Sequence, residues 1–490
     1  ITAGLTPTAA AIMGKTSADT VGTLNVTGNL DASALQVAAQ GTSSSRITVA
    51  GTATLNNAAL GLTDGSTPLA GKTYTWPTAG ALNGTAAAAK TELSPYINMS
   101  VDATTYTVSR NNTPLGGLDG MTDSERSVGS AMNDRIMSAI QNDPNSDRTA
   151  ALNAVLYQNG NASRQFFQQN AAESRTQLLA NSPLASLTTA SLESRLDTAS
   201  YTNSTLTMGS GGMDAAKAAP VALDDTNHLW LKLFKGYDNH KGAGDLNAQT
   251  FGGVIGYDKA VNKATRVGWL VSGGLTHYSA DSMDGDSKDW QLGAYIEHKN
   301  AGWDYSGLLS YGRNNYDLNR YAGGEKYNAD YHANVWDIEA RAKYSLPSTT
   351  ERTWKVAPYG KLGYIHTSQE SYDETGTGIS AQHIADSSHS SVTGEVGVEL
   401  GRQLGPDGGY RLALGYKRVL SGANPTLNGT FVGDTHPFTV QSENDRNFLT
   451  YSVAMHGKLG PQWSGQAEIR GEASPNTHKE IVSVTAQYSF

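Results

Sequence analysis

Residues 227–490 alternate between apolar and polar positions with a period of two, in one short segment after another. In one of them, for example, Asp337 and Glu339 lie on the opposite face from Ile338. A period of two is that of a β-strand, because successive side chains point to opposite faces of a sheet. The pattern predicts about twelve strands, which start near residues 229, 250, 267, 289, 303, 334, 354, 391, 410, 447, 462 and 481.

Two architectures explain strands of this kind. A soluble antiparallel sheet turns its apolar face inward, whereas a barrel in a membrane turns it outward. The predicted number of strands is even, and seven of the eight tryptophans lie in this zone, mostly near predicted strand ends. Both features are typical of a transmembrane barrel with aromatic girdles at the two membrane interfaces. We therefore predict such a barrel, with a girdle formed by Trp269, Trp290, Trp303, Trp336, Trp354 and Trp463.

Residues 113–226 change to a helical period. Thr122 and Glu125 form a candidate capping box at the start of a helix. Apolar residues then recur at intervals of four from Val128 to Ile140, and an Asp-Pro dipeptide follows, which predicts the end of this helix. Further helical segments come next, and the last part of the zone is polar and glycine-rich, which is typical of a linker.

Residues 1–112 carry short β-like runs separated by Gly, Asn, Ser and Thr. Two of them, LNVTGNLDASALQV and ITVAGTATLNNAALGL, resemble each other with an offset of 23 residues. A repeat of this length fits one turn of a parallel β-helix, in which each turn buries its face against the next. The chain is thus predicted to be mainly β: a short parallel β-helix, a helical linker and a 12-stranded antiparallel barrel.

Composition narrows the classes of function. The 490 residues carry a formal net charge of −9, with acidic and basic residues interspersed, so we expect no nucleic-acid partner. Cysteine is absent, which excludes a disulfide framework. No apolar run reaches about 18 residues, so no transmembrane helix is predicted. The chain opens on Ile1 without an initiator methionine, and we expect it to continue a longer precursor.

Several segments resemble the translocator domains of autotransporters, the type V secretion proteins of Gram-negative outer membranes. They are HLWLKLFKG, FGGVIGYDKA and DWQLGAYIEHKN early in the barrel zone, VTGEVGVELGRQL later in it, and VSVTAQYSF at its end. The order of the three zones is similar to that of the family as well. The resemblance implies a translocator in the outer membrane that exports its own N-terminal passenger to the cell surface and anchors it there. It also implies a passenger with an adhesive or virulence-related role.

The resemblance further implies an α-helix inside the barrel lumen. A hydrocarbon span of about 25 Å needs roughly 17 helical residues, and the segment 182–199 has a suitable length. Its charged residues, Glu193, Arg195 and Asp197, are expected to pair with charges on the lumen wall. The expected wall residues are Glu339, Arg341, Lys343, Glu395, Glu399, Glu468 and Arg470.

By the same resemblance, the last strand is the signal that the barrel-assembly machinery recognises, with Phe490, Tyr488, Val484 and Val482 as its determinants. Outer-membrane lipid and periplasmic chaperones are the other implied partners, and the barrel is expected to be monomeric. Residues 64–112 resemble the autochaperone region of the family, which folds first outside the cell. Tyr74, Trp76, Tyr96 and Tyr106 would be its packing residues.

We find no motif for a metal, a cofactor or a catalytic site, and we predict that the chain is not an enzyme. Some family members cut their own passenger between adjacent asparagines of the threaded helix. The pairs at positions 56–57, 111–112 and 314–315 all lie outside the predicted helix. Others use acidic lumen residues, for which Glu395, Glu399 and Glu468 are candidates. Two alternatives therefore stay open: a self-cleaving translocator and a porin-like channel.

Overall fold

The computed structural model describes residues 11–12, 21–202, 226–242, 244–347, 354–404 and 407–490. The chain divides into two compact units. The first comprises residues 1–171 with 377–380 and 433–438, and the second comprises 172–376, 381–432 and 439–490. Most of the predicted linker after the threaded helix, residues 203–225, lies outside the described residues.

The first unit begins with strands that pair in parallel: Thr23–Val26, Leu30–Val37, Arg46–Leu62 and Pro77–Ala88. Val26 pairs with Val49, so the 23-residue offset of the sequence repeat is the register between Thr23–Val26 and Arg46–Leu62. The register shifts further along, where Leu35 pairs with Leu60, and it is different again where Ile47 pairs with Pro77. Leu35, Ile47 and Leu60 are buried between the turns. Four very short strands accompany them, at Ala11–Ile12, Ala39–Gly41, Ser43–Ser44 and Thr67–Pro68.

An antiparallel sheet follows the parallel strands in the same unit. It contains Thr73–Thr75, Glu92–Ser94, Ile97–Val101 and Thr105–Arg110. Tyr74 stacks on Tyr106 with ring centroids 5.0 Å apart, and Trp76 and Tyr96 are fully buried. The four aromatic residues that the sequence analysis named as packing residues therefore lie in the core of this unit.

The helices of the first unit are α1 (Asp123–Asn142), α2 (Asp147–Ala154), a 3-10 turn at Val155–Tyr157 and α3 (Gly160–Ala171). The capping box at α1 is confirmed, because the Thr122 side chain accepts from the Glu125 amide and the Glu125 carboxylate accepts from the Thr122 amide. The helices are tied to the strands by polar contacts. The Tyr157 hydroxyl donates to the Pro68 carbonyl at 2.6 Å, and the Ser94 hydroxyl donates to the Leu156 carbonyl at 2.6 Å.

The second unit contains two helices, α4 (Ser174–Ala180) and α5 (Pro183–Thr202), and a closed antiparallel barrel of twelve strands. The barrel strands are β1 (His228–His240), β2 (Leu246–Asn262), β3 (Thr265–Ala280), β4 (Met283–Asn300), β5 (Trp303–Ala322), β6 (Glu325–Tyr344), β7 (Lys355–Gln369), β8 (Ser387–Leu404), β9 (Gly408–Ser421), β10 (Asn447–Lys458), β11 (Trp463–Ala473) and β12 (Thr477–Ser489). The largest error in the predicted starts is at β6, which was predicted near 334 and begins at 325. None of the helices in the described residues is long and apolar enough to cross a membrane.

The barrel turns its apolar side chains outward. Leu292 and Val484 are each 54% exposed, whereas their strand neighbours Gln291 and Ser483 are buried in the lumen. A soluble sheet has the opposite arrangement, because water would then cover the polar face. The predicted fold class, a twelve-strand antiparallel barrel with apolar residues outside, is confirmed.

The two ends of the barrel differ. The end that holds His228 and Phe490, called here the terminal end, contains the start of β1 and the end of β12. The opposite end, the loop end, gives rise to the two longest connections between strands, residues 370–386 and 422–446. These connections carry the short strands Tyr372–Asp373, Gln382–Ile384, Thr426–Phe431 and Pro437–Gln441.

Aromatic side chains form two bands on the outer surface. Near the terminal end, Trp303 packs on Tyr344 with centroids 4.9 Å apart. Nearer the loop end, the ring centroids of Tyr311 and Trp336 are 4.8 Å apart. The eight steps from Trp303 to Tyr311 cover about 26 Å along β5, which is about 20 Å along the barrel axis at a strand tilt of about 40°, slightly less than the apolar band of about 25 Å in known membrane barrels.

The placement of the tryptophans corrects one expectation. Trp290 and Trp336 are exposed but lie in the middle of β4 and β6, because these strands continue well beyond the second band toward the loop end. Trp269, Trp303 and Trp463 lie near the terminal end and are exposed, and Trp354 is half-buried just before β7. Trp230 is fully buried and points into the lumen, so not every tryptophan near a strand end belongs to a girdle.

Candidate functional site, the barrel lumen and its helix

Helix α5 lies inside the barrel and presents an apolar face to strands β1 to β5. Four leucines of this face are almost completely buried: Leu184, Leu187, Leu192 and Leu196. They belong to one apolar cluster with lumen residues of the barrel, namely Trp230, Phe234, Val254, Leu270, Tyr295 and Leu308. We call this side of the lumen the apolar wall. It excludes water from the leucine face of the helix.

Two glycines of the apolar wall make room for the helix. A β-carbon added at Gly236 would lie 3.2 Å from a methyl carbon of Leu187, and one at Gly274 would lie 3.2 Å from a methyl carbon of Leu184. Both separations are shorter than an ordinary contact between carbon atoms, so a larger residue would push the helix away. The absence of a side chain at these positions thus sets how closely α5 approaches the barrel.

Asp197 lies on the other face of α5 and is surrounded by three cations. Arg341 and Lys343 of β6 lie 2.7 and 2.6 Å from its Oδ1 atom, and Arg411 of β9 lies 2.8 Å from its Oδ2 atom. All four side chains are nearly excluded from solvent. The pairing of Asp197 with Arg341 and Lys343 is as the sequence analysis placed it, whereas Arg411 was not among the residues it named.

Glu193 lies one turn earlier on the same face and binds two cations. Lys361 of β7 lies 2.8 Å from its Oε1 atom, and Arg470 of β11 pairs with its Oε2 atom. Glu339 lies on the lumen face of β6 beside Glu193. We call the side of the lumen formed by β6 to β11 the charged wall, because cations and carboxylates alternate along it.

Three of the four wall carboxylates that were expected to pair with the helix charges bind wall cations, although Glu468 also hydrogen-bonds Ser194 of α5. Glu399 pairs with Lys343 and Arg411 at 3.4 and 3.2 Å. Glu395 pairs with Lys361 at 2.8 Å. Glu468 pairs with Arg411 at 3.0 Å, and also with Lys232 of β1 and with Arg470. The physical reason is charge: Glu193 and Asp197 are acidic themselves, so cations separate them from these three carboxylates, whereas Glu339 lies directly beside Glu193.

Arg195 points to a different place, a buried site on the apolar wall near the terminal end. Asp258 of β2 lies 2.8 Å from Arg195 and 2.6 Å from Arg266 of β3. The Tyr295 hydroxyl donates to Asp258 at 2.7 Å, and His228 Nδ1 lies 2.9 Å from it. The sequence analysis did not name this partner of Arg195. The signal that could have found it is the position of Asp258, a carboxylate on the lumen face of a predicted strand.

The chain before α5 is bound to the loop end. Arg175 of α4 pairs with Glu374 at 3.3 Å, and Arg320 of β5 donates to both oxygens of the same carboxylate. Burial opposes ionisation of Glu374, but the charge and hydrogen bonds of Arg320, the charge of Arg175 and the Gln382 amide hold its pKa below the usual range. The carboxylate therefore stays charged between two arginines.

Beside the charged face of α5 the lumen is not filled. A cavity of about 210 Å³ extends from the level of Asn181 and Asp445 down to Glu193 and Lys361. A smaller cavity of about 50 Å³ continues from Glu193 to Asp197 and Arg411. Water needs about 30 Å³ per molecule in the liquid, so the larger space has room for several molecules. The helix is thus packed closely against one wall and leaves space for water along the other.

The seam of the barrel is closed by its first and last strands. β1 and β12 pair along their whole length, from His228 with Ser489 to His240 with Thr477. At the terminal end, Phe490 exchanges two backbone hydrogen bonds with Asn227. Val482, Val484 and Phe490 are exposed on the outer face, and the ring of Tyr488 stacks on Phe490 with centroids 5.7 Å apart. The residues of the predicted assembly signal thus form one outward-facing row next to the seam.

A closed barrel with an apolar exterior, two aromatic bands and a helix inside a charged lumen defines an outer-membrane barrel of the translocator class. Residues 229–470 match the model of the autotransporter beta-domain family, so the barrel is an autotransporter beta-domain. The family resemblance expected from the sequence is confirmed. No curated protein matched the chain.

Among solved structures, the chain is similar to three autotransporter domains. The translocator domain of NalP from Neisseria meningitidis is 17% identical, with 62% of this chain and 96% of that chain covered at a TM-score of 0.48. The beta domain of the Bordetella autotransporter BrkA is 15% identical, covering 54% and 100%, at 0.42. The transport unit of AIDA-I from Escherichia coli is 11% identical, covering 61% and 98%, at 0.42.

Proposed function

We propose that this chain carries its own N-terminal passenger through the outer membrane and keeps it attached at the cell surface. The observation that supports the proposal is the path of the chain through the barrel. α4 is bound at the loop end by Arg175, and α5 then runs through the lumen to Arg195, which lies beside His228 at the terminal end. Within the described residues, 174–202 cross the barrel once from the loop end to the terminal end, which fits a chain that has been exported through the pore.

Exposure of the passenger region on intact cells tests this proposal. An epitope inserted in the exposed turn at Asp64–Gly65 should be reached by antibody and by added protease on intact cells that express the full precursor. A chain in which the same epitope is reached only after the outer membrane is broken would contradict the proposal. Heat-modifiable migration of the same chain on gels shows that the barrel has folded in both cases.

The porin-like alternative makes a different prediction for conductance. A channel with an open lumen should conduct strongly and should not change when residues 180–226 are deleted. The leucine face of α5 fills the apolar side of the lumen, which supports a plugged pore. We therefore expect low conductance from the full chain in planar bilayers and a large rise after the deletion. Equal conductance of the two chains would favour the channel.

The self-cleaving alternative depends on the acidic lumen residues. Glu395, Glu399 and Glu468 each pair with lysine or arginine, which supports a role in balancing charge rather than in catalysis. On this proposal the chain is not an enzyme and remains intact on gels after it has folded in outer membranes. If the chain is cut within 182–199 and Glu395→Gln stops the cut, the self-cleaving translocator is the better description.

We further propose that the last strand is the assembly signal for the barrel-assembly machinery, and that periplasmic chaperones hold the chain before insertion. Deletion of Phe490 should reduce insertion into outer membranes severely, while barrels that have already formed lose little stability, because one exposed ring at the end of a 13-residue seam is removed. Insertion is measured by heat modifiability in membranes and stability by denaturant unfolding. A larger loss in stability than in insertion would contradict this role.

For the passenger, we propose that residues 64–112 act as an autochaperone whose folding outside the cell draws the chain through the pore. The buried aromatic residues Tyr74, Trp76, Tyr96 and Tyr106 support a stable cap at this place. Trp76→Ala should then lower surface display without changing the amount of folded barrel. An adhesive role of the passenger is part of the proposal by analogy with the family, and cell aggregation by the full precursor tests it.

A further inference from the structure

A groove on the outer face of the barrel crosses strands β5 to β9. Its volume is about 710 Å³, which is within the range of about 300–1,000 Å³ that is usual for ligand pockets. The floor consists of small residues that face outward on neighbouring strands: Ala340, Ala342, Gly360 and Gly394. Larger exposed side chains stand around this floor, namely Tyr305, Leu362, Val396, Tyr416 and Leu420. The groove is therefore an indentation in the apolar surface that faces the membrane.

Strand pairing places the small residues of the floor side by side. Ala342 of β6 pairs with Gly360 of β7, and Gly360 pairs in turn with Val396 of β8. A β-carbon added at Gly360 would lie 3.9 Å from the Glu395 carbonyl oxygen, which is an ordinary contact distance. The space over Gly360 is therefore open, and an apolar group can enter it without displacing the strands.

Arg418 of β9 supplies a positive charge at the rim of the groove. It pairs with Gly394 of β8 and is exposed on the outer face, between Tyr416 and Leu420. The other charged residues of the lining form ion pairs inside the lumen: Arg341, Lys361 and Glu395. Among the lining residues, all of which the structure describes, Arg418 is thus the one charged side chain that faces outward.

The position of Arg418 along its strand fits the level of lipid head groups. β9 ends at the loop end with Ser421, three residues after Arg418. A cation on the lipid face is costly at the middle of a bilayer and much less so near its interfaces, where a long side chain reaches the polar head groups. A guanidinium group binds a phosphate through two parallel hydrogen bonds. The groove therefore has an apolar floor for an acyl chain and a phosphate ligand at its rim.

We propose that this groove binds one acyl lipid with a negatively charged phosphate head group, with an acyl chain over Gly360 and the phosphate on Arg418. Charge complementarity selects this occupant, because a lipid without net charge or a second barrel would leave the guanidinium group without an anion at an apolar surface. The proposal concerns the membrane face of the barrel and does not rest on export of the passenger. Its failure and the failure of the proposed function are therefore seen in separate experiments.

Native mass spectrometry of the full chain in detergent tests the proposal. The chain is offered equal amounts of a phosphatidylglycerol and a phosphatidylcholine with the same acyl chains. We expect one bound phosphatidylglycerol, retained roughly tenfold more often than phosphatidylcholine, because charge-assisted hydrogen bonds to the phosphate are strong. Arg418→Gln should abolish this preference. Gly360→Leu fills the groove and should lower the retention of both lipids roughly tenfold, because the acyl chain loses its place.

Each variant has a matched control on the outer face away from the groove. Lys288→Gln removes an exposed cation of β4, and Gly273→Leu adds a side chain to β3 where a β-carbon would lie 3.8 Å from the Asp289 carbonyl oxygen. Both controls should bind lipid as the unmodified chain does, and heat-modifiable migration confirms the folded barrel in every case.

Two results would overturn the lipid site. One is a preference for phosphatidylglycerol that survives Arg418→Gln, or unchanged retention in Gly360→Leu, which decides the question if Arg418→Gln does not assemble. The other is a mass of two chains that Gly360→Leu returns to one, because the groove would then be an interface between two copies of the barrel.

Discussion

The two sides of the lumen hold the same helix by different physical means. The apolar wall, strands β1 to β5, packs Leu184, Leu187, Leu192 and Leu196 into a dry cluster and binds Arg195 in a fully buried ionic site. The charged wall, strands β6 to β11, binds Glu193 and Asp197 through five cations and leaves cavities between the barrel and the helix. One wall therefore excludes water, and the other leaves room for it.

The two walls are expected to contribute differently to the stability of the docked helix. Burying a leucine side chain contributes about 1.5–3 kcal/mol, and this term does not depend on salt. The ion pairs of the charged wall are nearly excluded from solvent, and each helix carboxylate has more than one cation, so the loss of one cation leaves the carboxylate compensated. The apolar wall should thus determine whether the helix stays in the pore. The charged wall should determine the orientation of the helix about its own axis and the electric potential in the cavities beside it.

The largest effect is expected from the buried ionic site of the apolar wall. Asp258→Asn removes the carboxylate that Arg195 and Arg266 share, and both guanidinium groups lose their buried counter-charge. We expect a loss of about 3–5 kcal/mol in the free energy of unfolding, measured by denaturant titration of the refolded chain. Asp281→Asn at the exposed loop end is the matched control. Equal unfolding curves for the two variants would show that the terminal end of the lumen is open to water.

A somewhat smaller loss is expected from the leucine face. Leu187→Ala should cost about 2–4 kcal/mol, because the cavity left beside Gly236 lies between a rigid strand and a rigid helix. Helix release should also become more frequent, seen as more open-pore events in planar bilayers. Leu231→Ala on the outer face of β1 changes the same side chain where it is 43% exposed, and it should leave the frequency of open events unchanged. A helix that stays plugged in both variants would mean that the charged wall dominates.

The charged wall should respond less, because it holds each helix carboxylate through more than one cation. Lys343→Gln removes one of three cations around Asp197, and Arg341 and Arg411 remain in place. These side chains are nearly excluded from solvent, so we expect a loss of about 1 kcal/mol that depends only weakly on salt. Denaturant unfolding at several salt concentrations measures it. A loss as large as that of Leu187→Ala would contradict the distinction between the two walls.

The smallest effect should be local to the loop end and should depend on pH. The folded pKa of Glu374 is depressed, so its stabilising effect is complete above about pH 4.3, the value of a free glutamate, and is lost as the pH falls through the lower folded value. Amide hydrogen exchange in Ser174–Ala180 should therefore accelerate in acid while exchange in Pro183–Thr202 does not. Glu374→Gln should give faster exchange of α4 already at neutral pH. Acceleration of α5 to the same degree would show that the loop end, rather than the walls, holds the helix.

Much of this architecture could be predicted from the alternation of residues. The twelve strands, the outward apolar face and the threaded segment 182–199 were all expected, and the helix is observed at Pro183–Thr202. The register between Thr23–Val26 and Arg46–Leu62 in the first unit followed from the 23-residue repeat. These features are local, because the spacing of apolar residues along the sequence directly shows the period of a strand or a helix that has one apolar face.

The partners of the helix charges could be predicted only in part. Arg341, Lys343 and Arg470 were named from the lumen face of their strands, whereas Lys361 and Arg411 lie on the same kind of face and were not named. Asp258 was missed altogether. The lumen face of a strand can be recognised from alternation, but the height of a residue on the barrel and its angle around the axis depend on strand tilt and on where closure places each strand.

By itself, the sequence determined that this chain makes a membrane barrel with a charged interior and a helix of the right length, because periodicity and hydrophobicity are properties of neighbouring residues. Only the tertiary structure decided that the leucines of α5 meet β1 to β5, that Glu193 and Asp197 meet the cations of β6 to β11, and that Arg195 meets Asp258. The physical reason is that closure of the twelve strands fixes which residues surround a common axis. The glycines at 236 and 274 then let the helix approach one wall more closely than the other.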